Sequence, residues 1–221
     1  MLRIGIVDDH KLFRKSLSLL ISTFEGVQVV IEAQNGREFI DALDLNPIDL
    51  VLLDIQMPEM DGYETCKVLH QRFPDVKILI VSQLTTRESI HKIMDLGAHG
   101  YFTKNSDPDQ LEYAIRSLND KGFYFGMEMG EVLREALLWE KRYARKVVDF
   151  PESLSKRELQ IIIMACREYS SAEIADTLCI NTRTVETHRK RIMQKTKTKN
   201  FIGVVLYALK EEYVTLDELY G

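Results

Sequence analysis

Apolar runs that are continuous rather than alternating recur through the first half of the chain, at Leu2–Val7, Val27–Ile31, Leu50–Leu53, Val76–Val81 and His99–Phe102. A strand inside a parallel sheet is covered on both faces, so its sequence carries no polar alternate. Each run is followed by a stretch of about 10–14 residues with helical spacing. Strand then helix, repeated along the chain, predicts an α/β doubly wound parallel sheet of five strands. Three helix starts are legible: Asn35-Gly36 before Arg37–Leu45, Asp61-Gly62 before Tyr63–Arg72, and Ser106-Asp107-Pro108 before Asp109–Leu118.

Right-handed crossovers in about 120 residues favour the flavodoxin-like strand order 2-1-3-4-5. That order makes strands 1 and 3 neighbours. Strand 1 ends in Asp8-Asp9 and strand 3 in Asp54, so three carboxylates should share one crevice. Such crowding is unfavourable without a cation, and a set of oxygen donors suits Mg²⁺. Ser82 at the end of strand 4 and Lys104 at the end of strand 5 bring a hydroxyl and an ammonium to the same place. A buried carboxylate with a cation, a donor and a positive charge beside it can accept a phosphoryl group. Asp54 is the expected acceptor.

The second half reads as helical. Ser155-Lys156-Arg157-Glu158 and Ser170-Ser171-Ala172-Glu173 are capping boxes, and Asn181 is an N-cap before Thr182–Lys195. Leu159, Ile162, Ile163 and Cys166 form the expected buried side of the first of these helices. A short helix, Ala172–Leu178, a tight turn and a longer helix make a helix-turn-helix, whose second helix enters the DNA major groove. Val185, Ile192 and Met193 should face inward on that helix. Arg183, Thr184, Thr187, His188, Arg189, Lys190, Arg191 and Lys195 crowd its other faces, as contact with phosphates and base edges requires.

Charge separates the halves. The net charge is -5, yet residues 1–124 hold about 13 basic and 19 acidic groups while residues 153–200 hold about 10 and 5. Between them, Glu128–Val147 places Val132, Leu133, Ala136, Leu137, Trp139 and Tyr143 near helical spacing, and Phe150-Pro151 breaks the pattern. The expected organisation is therefore a first domain over 1–124, a linker helix over 125–152 and a second domain over 153–221. No apolar run approaches the roughly 20 residues of a membrane span, and the chain opens on a strand, so a soluble cytoplasmic protein is expected. Cys66, Cys166 and Cys179 are scattered, which fits buried reduced thiols better than a disulfide or zinc site.

Asp8-Asp9, Asp54 with Met57-Pro58 and Asp61-Gly62, Ser82 and Lys104 together resemble the receiver domain of two-component response regulators. Leu154-Ser155-x-Arg157-Glu158, Glu173-Ile174-Ala175, Ile180-Asn181 and Thr184-Val185-Glu186-Thr187-His188-x-x-x-Ile192-Met193-x-Lys195 resemble the LuxR-type helix-turn-helix of the NarL/FixJ class. The resemblance implies that Asp54 takes phosphate from a sensor histidine kinase. It implies Mg²⁺ held by Asp9, Asp54 and the Gln56 carbonyl, with Asp8 acting through water, and a switch pair of Ser82 and Tyr101. It implies further that the helix from Thr182 reads DNA, that Phe201–Glu212 mediates dimerisation, and that the protein forms a homodimer on phosphorylation or on DNA. Several positions depart from the family pattern: Asn105 follows Lys104 where Pro is usual, Glu168 replaces a turn Gly, Thr196 and Thr198 replace apolar residues, and Phe201 replaces an Arg.

Two other readings compete. In a phosphatase, Asp54 would be a turnover nucleophile, but Gln56 stands where a D-x-D pattern needs its second acid, so no enzyme is expected. In a protein-interaction module, the second half would grip a partner rather than DNA.

Overall fold

A computed structural model describes residues 1–83, 96–126, 154–211 and 213–214. The linker helix over Glu128–Val147, the break at Phe150-Pro151 and the helix expected after the fourth strand lie outside these residues. The chain divides into two compact units, Met1–Asn119 and Asp120–Gly221.

The first unit is built on β1 (Leu2–Val7), β2 (Val27–Ala33), β3 (Leu50–Leu53), β4 (Lys77–Ser82) and β5 (Gly100–Thr103). All pairings among them are parallel, in the order β2-β1-β3-β4-β5. The central strand β3 is buried at every position, between 0% and 1% exposed, which is why its sequence shows no alternation. Each such aliphatic side chain taken out of water contributes about 1.5–3 kcal/mol. Helices α1 (Lys11–Ile21), α2 (Gly36–Leu43), α3 (Gly62–Arg72) and α4 (Asp109–Lys121) turn their apolar stripes inward, with Ile21, Phe39, Leu69 and Ile115 all at 0% exposure. A two-residue strand, β6 (Tyr124–Phe125), follows α4.

Register decides what the strand ends present. Val7 stands opposite Leu53, Leu53 opposite Ile80, and Ser82 opposite Thr103. The residues that follow therefore emerge side by side: the Asp54 amide donates to the Val7 carbonyl at 2.9 Å, and the Lys104 amide to the Ser82 carbonyl at 3.0 Å.

The second unit contains α5 (Lys156–Cys166), α6 (Ser171–Thr177), α7 (Thr182–Thr196) and α8 (Phe201–Lys210). Ser155 and Ser170 each close a full capping box, with Glu158 and Glu173 reaching back to the cap amide. Asn181 and Asn200 cap α7 and α8, accepting from the Thr184 and Gly203 amides, each at 2.8 Å. The buried side of α5 is set by Ile161, Ile162, Ala165 and Cys166, whereas the expected Leu159 and Ile163 are only half-buried. The face is rotated by a fraction of a turn from the one expected. Cys66 and Cys166 are buried as expected, but Cys179 is exposed, in the turn between α6 and α7, with φ +53°.

Glu168, which ends the α5 turn, has φ +63°. A side chain in the left-handed region costs roughly 1–2 kcal/mol, so the missing glycine is felt locally. Thr196 and Thr198 are not left unsatisfied. Thr196 Oγ1 donates to the Ile192 carbonyl at 2.8 Å and lies 3.0 Å from Thr198 Oγ1.

Gly62 opens α3 where no side chain fits, since a Cβ there would stand 2.3 Å from the Asp54 carbonyl oxygen and 2.7 Å from Ile55 Cα. Backbone cannot yield as a flexible side chain can. Gly62→Ala is expected to destabilise the first unit by about 1–3 kcal/mol, measured as a lower urea midpoint; an unchanged midpoint would contradict the close approach.

Candidate functional site

The acid crevice is assembled from three strand ends. Asp54 and Asp8 are 4% and 2% exposed, and the Lys104 ammonium lies between them. Lys104 Nζ is 2.5 Å from Asp54 Oδ2 and 2.7 Å from Asp8 Oδ2. The remaining oxygens are also held: Asp54 Oδ1 accepts from the Ile55 amide at 2.6 Å, and Asp8 Oδ1 from the His10 amide at 2.8 Å. Asp9 is more open and pairs with His10, with 2.7 Å from Nδ1 to Oδ1. One ammonium thus answers two buried carboxylates, with a third beside them.

Electrostatics follow from that count. Burial is the largest influence on Asp54 and raises its pKa; the pull of Lys104 downward and the push of Asp8 upward leave it above the ordinary carboxylate value. For Lys104, burial works downward, but hydrogen bonds and charge from Asp54 and Asp8 leave the ammonium more firmly protonated than usual.

Of the residues expected here, Asp8, Asp9, Asp54 and Lys104 are brought together. Ser82 is buried at the end of β4, and the buried Tyr101 ring points inward with its hydroxyl donating to the Ser82 carbonyl at 3.3 Å. Gln56 is exposed in the loop after Asp54. Three neighbours were missed by the sequence reading. Lys104 Nζ lies 4.7 Å from the centre of the Phe13 ring, Arg14 donates to the Asp8 backbone carbonyl, and His10 faces the acid pair. Only His10, adjacent to Asp8-Asp9, carried a signal that could have been used.

Ligand atoms of Asp8, Asp9, His10 and Asp54 lie within 4.8 Å of one another. Three of these four donors are carboxylates, and Lys104 already takes the place of a cation between two of them. That donor set fits a divalent ion such as Mg²⁺.

On α7, Arg183, Thr187, Lys190 and Arg191 are exposed, Thr184, His188 and Lys195 are half-buried, and Val185 and Ile192 are buried. Lys195 pairs with Glu158 at 2.9 Å. His188 Nδ1 is buried and has no hydrogen-bond partner among the described residues. Arg189, expected among the outward groups, is 3% exposed. Its guanidinium stacks 4.0 Å from the Phe201 ring centre and donates to Ser171 Oγ at 2.9 Å and to the Lys121 carbonyl. Ser171 in turn donates to Glu186. Burial pushes the Arg189 guanidinium down to about 10, so it remains a cation at neutral pH. The inward turn has a reason in the sequence: with Phe201 where the family has Arg, an aromatic face is available for a cation to cover.

Two outcomes are expected. Because the folded Asp54 carboxyl binds its proton more tightly than the unfolded one, the stability it contributes is present below the ordinary carboxylate pKa and is lost as pH rises through the raised value. Asp54→Asn should therefore be more stable than the natural chain at neutral pH, and the gap should close on acidification; thermal unfolding across pH checks this, and a gap independent of pH would contradict it. Arg189→Ala should cost about 2–4 kcal/mol by stranding two acceptors and uncovering Phe201, whereas Arg191→Ala should stay within about 0.5 kcal/mol. Chemical denaturation of both variants distinguishes an internal guanidinium from an external one.

Comparison with known proteins agrees with this layout. Residues 4–116 match the response regulator receiver domain, and residues 152–208 match the bacterial regulatory proteins of the luxR family. The chain is 32% identical over 216 residues to the response regulator GacA of Pseudomonas aeruginosa, covering 97% of this chain and 98% of that protein. It is 32% identical over 214 residues to the oxygen regulatory protein NreC of Staphylococcus carnosus, covering 96% and 98%. Among solved structures, RcsB from Salmonella enterica serovar Typhimurium, bound to promoter rprA in the presence of a phosphomimetic, shares the fold at 22% identity, with a TM-score of 0.57 over 96% of this chain and 100% of that one. The chain belongs to the two-component response regulators that join a receiver domain to a LuxR-type DNA-binding domain.

Proposed function

We propose that Asp54 is phosphorylated by a sensor histidine kinase and that this changes how the second domain engages DNA to regulate transcription. The observation that carries the reading is the position of Lys104 Nζ, within 2.7 Å of both Asp8 and Asp54 at the ends of β1 and β3. In the transfer, an Asp54 carboxylate oxygen bonds to phosphorus as the bond from phosphorus to the kinase imidazole breaks, so a phosphohistidine becomes an acyl phosphate and a free histidine. Lys104 then meets the new phosphoryl oxygens and Ser82 grips one of them, with Tyr101 as its partner in the switch.

Asp9, Asp54 and the Gln56 carbonyl would hold Mg²⁺, with Asp8 acting through water. The ion supplies charge neutralisation for the phosphoryl oxygens. Arg183, Thr184, Thr187, His188, Arg191 and Lys195 are the proposed DNA contacts. Arg189 is not among them, since its buried guanidinium packs on Phe201 and Ser171. The RcsB structure on promoter DNA supports assigning this role to the second unit. A linker over 125–152 joining domains at 1–124 and 153–221, a homodimer on phosphorylation or on DNA, and a cytoplasmic location complete the reading. Among the described residues no helix is long and apolar enough to cross a membrane.

The test measures operator binding of the natural chain and Asp54→Ala, each with and without a small-molecule phosphodonor. The donor should tighten or loosen binding by about tenfold, a coupling of roughly 1.4 kcal/mol, in the natural chain alone. The same response in both proteins would overturn the assignment.

A further inference from the structure

Helix α7 carries a single acid, Glu186, among five lysines and arginines. It is the fifth residue of the helix and is exposed, as are Arg183 three positions before it and Lys190 four positions after. Residues at that spacing share a helix face, so the carboxylate stands among the side chains assigned to DNA. Its direction is fixed from beneath. Ser171, the first residue of α6 and only 4% exposed, accepts from Arg189 Nη1 at 2.9 Å and donates to Glu186 Oε1. A hydroxyl has one hydrogen, and with the buried guanidinium on its lone pair that hydrogen is committed to the carboxylate. The second oxygen, Oε2, has no hydrogen bond among the described residues.

A carboxylate brought to duplex DNA is repelled by the phosphates, so the groups that can receive it are donors on base edges. In the major groove these are the amino groups of cytosine and adenine. Adenine sets the N7 acceptor beside its amino group, which repels a carboxylate, whereas cytosine presents its amino donor alone. We propose that Glu186 is a specificity-determining residue of α7, accepting a hydrogen bond from the N4 amino group of one cytosine, with Ser171 and Arg189 as the positioning residues that hold it. The inference rests on the DNA reading given above. A carboxylate held before binding has less rotamer freedom to lose, so little of its hydrogen bond to the base is spent on ordering it.

The full-length chain, with and without the phosphodonor, selects from a pool of duplexes with a randomised core. Affinities are then measured for the selected duplex and for versions carrying each other base pair at each position. Glu186→Ala, Glu186→Gln and Ser171→Ala are carried alongside, with chemical denaturation to check folding. The natural chain should prefer cytosine at one position by at least about fivefold. That preference should vanish in Glu186→Ala, move toward adenine in Glu186→Gln, whose amide matches adenine N6 and N7, and weaken in Ser171→Ala, while the other positions keep their bases. Identical base preferences in Glu186→Ala and the natural chain would overturn the proposal, whether overall affinity rises because a like charge has left the phosphates or falls because α7 has lost its tie to α6. A natural chain that binds duplexes without preferring cytosine anywhere would overturn it too, and an unchanged preference in Ser171→Ala would remove the positioning role. A natural chain that binds no duplex at all would instead bring down the DNA reading, and this proposal with it.

Discussion

Like charges at the ends of neighbouring strands are the constraint on which the first unit turns. The register that buries Val7, Leu53 and Ile80 in line also forces Asp8 and Asp54 out at the same level. The hydrophobic core thus imposes an electrostatic penalty that some cation must offset, and Lys104 from β5 does so. Burial strengthens every term, because two acids with almost no exposed surface interact through protein rather than water. Asp54, the proposed phosphoacceptor, is consequently a residue that the fold keeps under strain of charge rather than of geometry.

Much of this was legible in the sequence because the relevant signals are local. Continuous apolar runs identified β1 to β5, and the caps at Asn35, Asp61, Ser155, Ser170 and Asn181 were readable as single residues and boxes. Topology rules then place Asp8, Asp54, Ser82 and Lys104 at the carboxyl ends of neighbouring strands. What escaped was tertiary. Phe13 and Arg14 are the third and fourth residues of α1 and look like an ordinary amphipathic pattern; only the packing of that helix brings them to Lys104 and to the Asp8 carbonyl.

The same limit explains Arg189 and the shifted face of α5. A charged residue in a basic helix reads as outward, and nothing within the helix says otherwise. Its inward direction depends on Phe201, twelve positions along and on another helix, and on the Ser171 hydroxyl from a third. Departures that look damaging in isolation are absorbed in this way: Thr196 bonds to a carbonyl and to Thr198, and the aromatic substitute for an arginine recruits a different arginine.

That exchange changes the outer surface as well as the core. Each phosphate neutralised on duplex DNA adds about 0.9 to the steepness with which affinity falls as salt is raised. A helix that folds one of its cations inward offers fewer counter-charges than its sequence counts. On the proposed DNA-binding reading, its hold on the duplex would lean correspondingly more on shape and base edges, and would survive a wider range of ionic strength than so basic a segment suggests.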